Sequence, residues 1–271
     1  MNMLYNQVGL VSIIMPAYNC QDFIEESIDS VINQSYIDWE LIIIDDCSED
    51  DTVSIIQKKI NVDNRIKLYR LETNSGAAIA RNTAISYAKG EFIAFLDSDD
   101  IWFPNKLEKQ LTFMRENGYS FTCSSYNKID SSGNSLRQVI KTREISNYDQ
   151  ILKYSPGNST VIYNSSRLGK FYIPDIRKRN DYVMWLSIIK TAKYLYGYNE
   201  VLSSHRVREN SLSFNKRNLV KYHWYVYKKI EKISTIYSIY LITHMFTKTV
   251  FRKGLMLLKK NRKENKTWKL L

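Results

Sequence analysis

Three short apolar segments, residues 8–15, 41–44 and 92–96, are rich in β-branched side chains and each stops abruptly at a polar run. Segments of that length and composition read as buried strands. Between them lie two stretches with helical spacing. Residues 22–33 place Phe23, Ile24, Ile28, Val31 and Ile32 on one face, and residues 75–89 do the same with Ala77, Ala80, Ala84, Ile85 and Ala88. Strand and helix alternate over the first hundred residues, which predicts an α/β sheet covered by helices on both faces. Such sheets bind ligands beyond the carboxyl ends of their strands, so the polar residues that end each strand are the candidates for a site.

From about residue 105 the alternation loosens. Residues 106–116 and 181–193 read as helices, and residues 119–129 and 135–141 as strands. No internal repeat or low-complexity linker interrupts the chain, which predicts one globular unit over residues 1–214, with residues 8–104 forming the ligand-binding half and 105–214 covering the site. A length of 271 residues fits one larger domain with an appendage.

Charge marks off that appendage. Residues 215–271 contain 15 Lys or Arg and 2 Asp or Glu, a net +13, while residues 1–214 carry 24 − 26 = −2, so the tail accounts for the whole formal net charge of +11. Segregated positive charge implies an anionic partner, nucleic acid or an acidic bilayer face. Cys20, Cys47 and Cys123 are odd in number and neither clustered nor in CxxC spacing, which argues against a disulfide framework or zinc site and suits a reducing compartment. The first ten residues lack a basic start and a sustained apolar region, so no signal peptide is expected.

The strand ends carry the chemistry. The first ends in Pro16-Ala17-Tyr18-Asn19 and the second in Asp45-Asp46-Cys47-Ser48-Glu49-Asp50. A ring such as Tyr18 can contact a base, and a carboxylate such as Asp46 can accept an imide N–H; Ser48 and Asp50 are equally suited to capping the next helix. Gly76 opens a helix of small residues with Arg81 on its second turn, an arrangement that favours phosphate, or a carboxylate paired with Arg81. A further strand runs into Asp97-Ser98-Asp99-Asp100, where alternate carboxylates suit Mg²⁺ or Mn²⁺ held jointly with substrate phosphates.

In these four motifs, in their order and at their separations, the sequence resembles glycosyltransferase family 2 with the GT-A fold over roughly residues 8–215. Residues 120–133 and the run Val207-Arg208-Glu209-Asn210-Ser211-Leu212-Ser213 bring it nearest to bacterial enzymes of teichuronic acid and O-antigen assembly. The resemblance implies a Rossmann-like mixed sheet flanked by helices, with a helical tail. It implies that Pro16, Ala17, Tyr18, Asp46, Gly76, Arg81, Asp97, Ser98 and Arg206 surround a UDP-sugar, and that Asp99, with Asp97 and His205, holds Mn²⁺ or Mg²⁺. The family's catalytic base falls at Asp181, where Asn180 stands in place of the usual acidic residue before it; helix capping by Asp181 is the bland alternative. His205 has two readings, metal ligand or ordinary strand-end histidine, and Asn158, Ser159 and Thr160 have two, acceptor contact or plain loop.

The expected reaction is a single inverting displacement, with Asp181 taking the proton from an acceptor hydroxyl and the cation offsetting charge on the departing diphosphate. Residues 233–247 carry no charge and are followed by Lys248, Arg252, Lys253, Lys259, Lys260, Arg262 and Lys263. That pattern is short for a span and suits a helix in the interface of an anionic leaflet, where a polyprenyl-diphosphate-linked glycan acceptor would be presented on the cytoplasmic side. A terminal helix packed on the domain is the alternative. A nucleotidyltransferase would open with a glycine-rich basic loop, which Pro16-Ala17-Tyr18-Asn19 is not. A nucleic-acid binder leaves the acidic clusters unexplained, so no nucleic-acid partner is expected. An inactive nucleotide-sugar binder or scaffold is disfavoured by the retention of Asp97, Asp99 and Asp181.

Overall fold

A computed structural model describes residues 7–174, 176, 179–208, 216–245 and 247. The chain divides into two compact units, residues 1–214 and 215–271. In chain order the first unit contains β1 (Gln7–Ala17), α1 (Ile24–Ile32), β2 (Trp39–Asp45), α2 (Thr52–Ile60), β3 (Ile66–Arg70), α3 (Ala77–Tyr87), β4 (Gly90–Phe95), β5 (Ile101–Trp102), α4 (Lys106–Asn117), β6 (Phe121–Ile129), β7 (Ser135–Ile140), β8 (Ile145–Ser146), α5 (Tyr148–Lys153), a 3₁₀ turn (Asn158–Thr160), β9 (Ile162–Asn164), α6 (Ser165–Leu168), α7 (Asn180–Ala192) and β10 (Leu195–Arg206).

The strands form one mixed sheet in the order β3-β2-β1-β4-β9-β6-β10-β5, with β7 added to β6 and β8 to β10. β3, β2, β1 and β4 are parallel. β9 is antiparallel to both β4 and β6, and β10 runs parallel to β6. One reversed strand therefore restores direction, and β6 and β10 end on the same edge as β1, β2 and β4. That edge gathers Ala17, Asp45, the turn after Phe95, Ile129 and Arg206, residues far apart in sequence.

Continuous apolar strands follow from burial on both faces. Every residue of β2 is buried. Alternate side chains, Ile13, Met15, Leu41, Ile43, Ala94 and Leu96, join one core cluster with Ile24, Ile28, Ile56, Leu107 and Leu111 from α1, α2 and α4. On the other face α3 packs on β1 and β2, and Trp185 of α7 meets Phe95 edge-on at 5.1 Å. Each fully buried Ile or Leu contributes about 1.5–3 kcal/mol, so the sheet is a rigid platform for its edge.

In the second unit α8 (Lys216–Tyr225) runs into one π-type turn (Val226–Ile230), and residues 235–245 are helical. There Leu241 is buried while Ile236, Ile239 and Tyr240 are exposed. Among the described residues no helix is long and apolar enough to cross a membrane. The basic residues from Lys248 onward lie outside the described residues.

Buried polar side chains interrupt the apolar core. Lys106, at the start of α4, is fully buried, with Nζ donating to Gln110 Oε1 at 3.1 Å and lying 4.1 Å from the centroid of the Trp102 ring. Burial lowers its pKa to about 7. A lysine depressed by folding weakens the fold as pH falls from its unfolded value toward its folded one, because the unfolded chain takes the proton first. Lys106→Met should therefore gain stability relative to the parent by at least ~1 kcal/mol on going from pH 10.5 to pH 7; urea denaturation at both values checks it, and a difference independent of pH contradicts it.

Candidate active site

The loops after β1 and β2 are laced together by backbone-to-side-chain bonds. Asn19, Cys20 and Gln21 N–H donate to Ser48 Oγ, Thr52 Oγ1 and Asp50 Oδ2 at 2.9, 2.8 and 3.1 Å. In return Glu49 and Asp51 N–H donate to Asn19 Oδ1 and Gln21 Oε1 at 3.0 and 2.9 Å. Asp50 also accepts from Thr52 N–H at 3.0 Å at the start of α2. Capping and site-building are thus one network, and left-handed backbone at Asn19 and Cys47 lets the two loops mesh. Half-exposed Tyr18 projects from this rigid rim, while buried Ala17 accepts the Asp46 N–H through its carbonyl at 2.8 Å.

Asp46 is buried, and its two oxygens accept the Ser75 and Gly76 N–H groups at 2.7 Å each. The start of α3, a position favourable to an anion, thus holds a protein carboxylate. Gly76 has φ 89° and serves the turn. A carboxylate offers roughly four acceptor directions, so Asp46 retains capacity for a further donor.

Arg81, buried on α3, donates to Asp97 Oδ1 at 2.6 Å and to Asn180 Oδ1 at 2.7 Å; of its two expected partners, carboxylate or diphosphate, the structure supplies the carboxylate. Asn158 Nδ2 donates to the same Asp97 oxygen at 2.7 Å. Asp100 is buried and accepts from Ser159 Oγ at 2.5 Å, from Arg206 N–H at 3.0 Å and from the His205 ring at Nδ1, 3.2 Å away. Burial pushes Asp100 up, yet His205 beside it and these donors hold it below the usual carboxylate range. Asp100 in turn raises His205 to about 9. Asp99 is different: burial, then Asp100 and Asp97, raise it to about 6, against the pull of Arg208 and His205. Arg208 Nη2 lies 2.6 Å from Asp99 Oδ2. Ser98 hydrogen-bonds Cys20, tying the turn to the loop after β1.

Among the described residues no three His, Cys, Asp or Glu side chains converge as a metal cage. Of the expected trio of Asp97, Asp99 and His205, Asp97 has its Oδ1 engaged by Arg81 and Asn158. Asp99 and the Nε2 of His205 are the fitting donors. A ligating histidine commonly gives its other ring N–H to a carboxylate, as Nδ1 faces Asp100, and Mg²⁺-type ions take one or two protein ligands completed by substrate phosphate and water.

Arg206, expected among the residues around the donor, has acceptors within the protein. It is buried, and donates through Nε to Asp99 O at 2.9 Å, through Nη1 to the carbonyls of Asp130 and Ser131 at 3.2 and 3.0 Å, and through Nη2 to Glu26. A guanidinium so engaged clamps the edge together. Ser211-Leu212-Ser213 lie outside the described residues. Asp181 opens α7, where Asn180 Oδ1 accepts both Arg81 and the Asp181 N–H, each at 2.7 Å. Burial, Asp100 and Asp181 push Asp97 up against Arg81, which sets Asp181 within electrostatic reach of the acidic turn. Trp185 and Leu186 of this helix are core residues.

Sequence reasoning missed the bracing by Asn158 and Ser159, the acceptor role of Asn180, and Arg208 as the partner of Asp99. For Asn158, Ser159 and Asn180 those partners lie 59 to 99 residues away, beyond any local pattern.

A mixed sheet with its acidic turn and binding loops on one edge is the GT-A arrangement. The chain belongs to glycosyltransferase family 2, whose pattern matches residues 12–174. It is 44% identical over 229 residues to TuaG of Bacillus subtilis, named for teichuronic acid biosynthesis, covering 84% of this chain and 91% of that one. It is 41% identical over 218 residues to WfgD of Escherichia coli, described as a UDP-Glc:alpha-D-GlcNAc-diphosphoundecaprenol beta-1,3-glucosyltransferase, covering 79% and 84%. Among solved structures, S. aureus TarS with UDP-GlcNAc superposes with TM-score 0.68 at 22% identity, over 87% of this chain and 71% of that one. The Pyrobaculum calidifontis mannosyltransferase PcManGT with GDP-Man and Mn²⁺ gives 0.63 at 18%, over 87% and 69%. These two likenesses establish the fold.

Removing the Arg206 clamp leaves Glu26 and three carbonyls without their donor, so Arg206→Met should lower unfolding stability by about 2–4 kcal/mol. Chemical denaturation measures this; unchanged stability with a raised KM for the donor would restore the diphosphate role.

Proposed function

We propose that this glycosyltransferase moves a hexose or N-acetylhexosamine, of the UDP-glucose or UDP-galactose type, from a UDP-sugar to a hydroxyl of a lipid-linked glycan, with inversion, in synthesis of a bacterial surface polysaccharide such as O-antigen, capsule or teichuronic acid. The observation that carries this reading is the division of labour in the acidic turn: Asp97 and Asp100 are tied into the protein by hydrogen bonds, and Asp99 faces the Arg208 cation. The relatives named for teichuronic acid synthesis and for glucosyl transfer to a diphosphoundecaprenol acceptor support the pathway.

Tyr18 and the remaining acceptor capacity of Asp46 hold the base, with Pro16 and Ala17 fixing the strand end beneath it. Asp99 and His205 hold a divalent cation, which when bound neutralises charge developing on the departing diphosphate. Asp97, kept in place by Arg81 and Asn158, presents its other oxygen to the ribose. Asp181 takes the proton from the acceptor hydroxyl as it attacks the anomeric carbon from the face opposite the diphosphate, so one displacement inverts the centre. The surrounding loops exclude water and strengthen each of these contacts. The tail, with its net +13 and the exposed Ile236, Ile239 and Tyr240, suits an anionic leaflet on the cytoplasmic face, where a polyprenyl-diphosphate-linked acceptor is presented.

The test is nucleoside diphosphate release from a panel of nucleotide sugars with Mn²⁺ and a diphosphate-lipid glycan acceptor. One UDP-sugar should be consumed, Asp99→Ala should remove the metal response, and Asp181→Asn should lower transfer by ~10²-fold or more while donor binding by calorimetry persists. Full transfer by Asp181→Asn, or release that ignores metal, would sink this assignment.

A further inference from the structure

The ion pair between Arg208 and Asp99 is built unlike the other two pairs in the acidic turn. Arg81 engages both Asp97 and Asn180, and His205 sits against a carboxylate that has two further donors. Arg208 Nη2 lies 2.6 Å from Asp99 Oδ2. Among the described residues its Nε, shielded from solvent, has no hydrogen-bond acceptor, although a guanidinium paired with a carboxylate is best satisfied by two parallel bonds. Its plane lies 5.2 Å over the Phe23 ring, which Arg206 also approaches at 5.0 Å. Arg206 is locked by its four acceptors; Arg208, two residues beyond it and past the end of β10, is not.

We propose that Arg208 is a resident counter-cation that a divalent metal displaces from Asp99, and that its guanidinium then turns on the Phe23 ring to pair with the donor diphosphate. This rests on the reading of Asp99 as the metal-holding carboxylate. Charge balance supplies the logic. Without ligands, Asp99 and Arg208 neutralise each other. With both ligands, a doubly charged cation and Arg208 together face Asp99 and the two charges of a sugar-linked diphosphate, and these groups sum to zero again, His205 releasing its ring proton as it takes the cation. Metal without nucleotide leaves a positive excess, and nucleotide without metal a negative one. Each half-filled state is disfavoured in a partly desolvated site, so metal and donor bind with positive, reciprocal coupling. The unsatisfied Nε is then a donor held ready for a phosphate oxygen, and Arg208 is a positioning residue for metal and donor, acting before the chemical step.

The experiment is Mn²⁺ binding to the full chain, followed by the electron paramagnetic resonance signal of free Mn²⁺, with and without UDP. It compares the parent with Arg208→Met, Arg208→Lys and the double variant Arg208→Met/Asp99→Asn, each first shown to melt as the parent does. Without UDP, Arg208→Met should bind Mn²⁺ at least about tenfold more tightly than the parent, Arg208→Lys should resemble the parent, and the double variant should lose the gain. The tightening of Mn²⁺ by UDP should be large in the parent and small in Arg208→Met. Equal or weaker Mn²⁺ binding by Arg208→Met without UDP, with binding in all single-site proteins when UDP is present, overturns the exchange while leaving the metal-dependent transferase standing. Absence of Mn²⁺ binding in every protein even with UDP overturns both.

Discussion

Three carboxylates stand within four residues at the end of a buried strand, Asp97, Asp99 and Asp100, and their mutual repulsion is the constraint around which this edge is built. Isolated buried charges are costly unless paired. The fold gives each carboxylate its own cation from a different place: Arg81 of α3 for Asp97, Arg208 beyond β10 for Asp99, and His205 of β10 for Asp100. Two of those partners come from the last strand region of the unit. They reach the turn because β9 runs against its neighbours, which lets β6 and β10 end on the same edge as β1, β2 and β4.

From that partition the chemistry follows. Asp97 and Asp100 are held by hydrogen bonds from the Asn158–Thr160 turn, so they set shape and field. Burial, then Asp100 and Asp97, raise the pKa of Asp99 to about 6 even with Arg208 beside it, so its charged form gains from a cation at its side. Asn180 links the turn to the putting of Asp181 at the head of α7: a single oxygen accepts from both Arg81 and the Asp181 backbone. An acidic side chain there would add a fourth carboxylate to the cluster; the amide gives the same acceptor without the charge.

Much of this was legible in the sequence, and for physical reasons. β1, β2 and β4 were visible because two-sided burial leaves unbroken apolar runs, and α1, α3, α4 and α7 because their apolar residues keep helical spacing. β10 was not, since its register shifts between Tyr198 and Val201 and its burial alternates with half-exposed residues; β9 has three residues. Among site residues, Asp46, Asp97, Asp99 and Asp181 stood out because carboxylates at strand ends and helix starts are informative positions. What each faces was hidden. Arg206 was expected among the residues around the donor; its acceptors lie 75 to 180 residues away and make it a clamp. Gly76 was expected near a phosphate, and Asp46, 30 residues earlier, accepts its N–H.

The most direct test of the three-way partition is a crystal structure of the chain with UDP and Mg²⁺. The partition predicts a cation about 2.0–2.1 Å from an Asp99 oxygen, with Asp97 still bonded to Arg81 and Asn158, and Asp100 still facing His205. A cation ligated directly by Asp97, with Arg81 released, would contradict it.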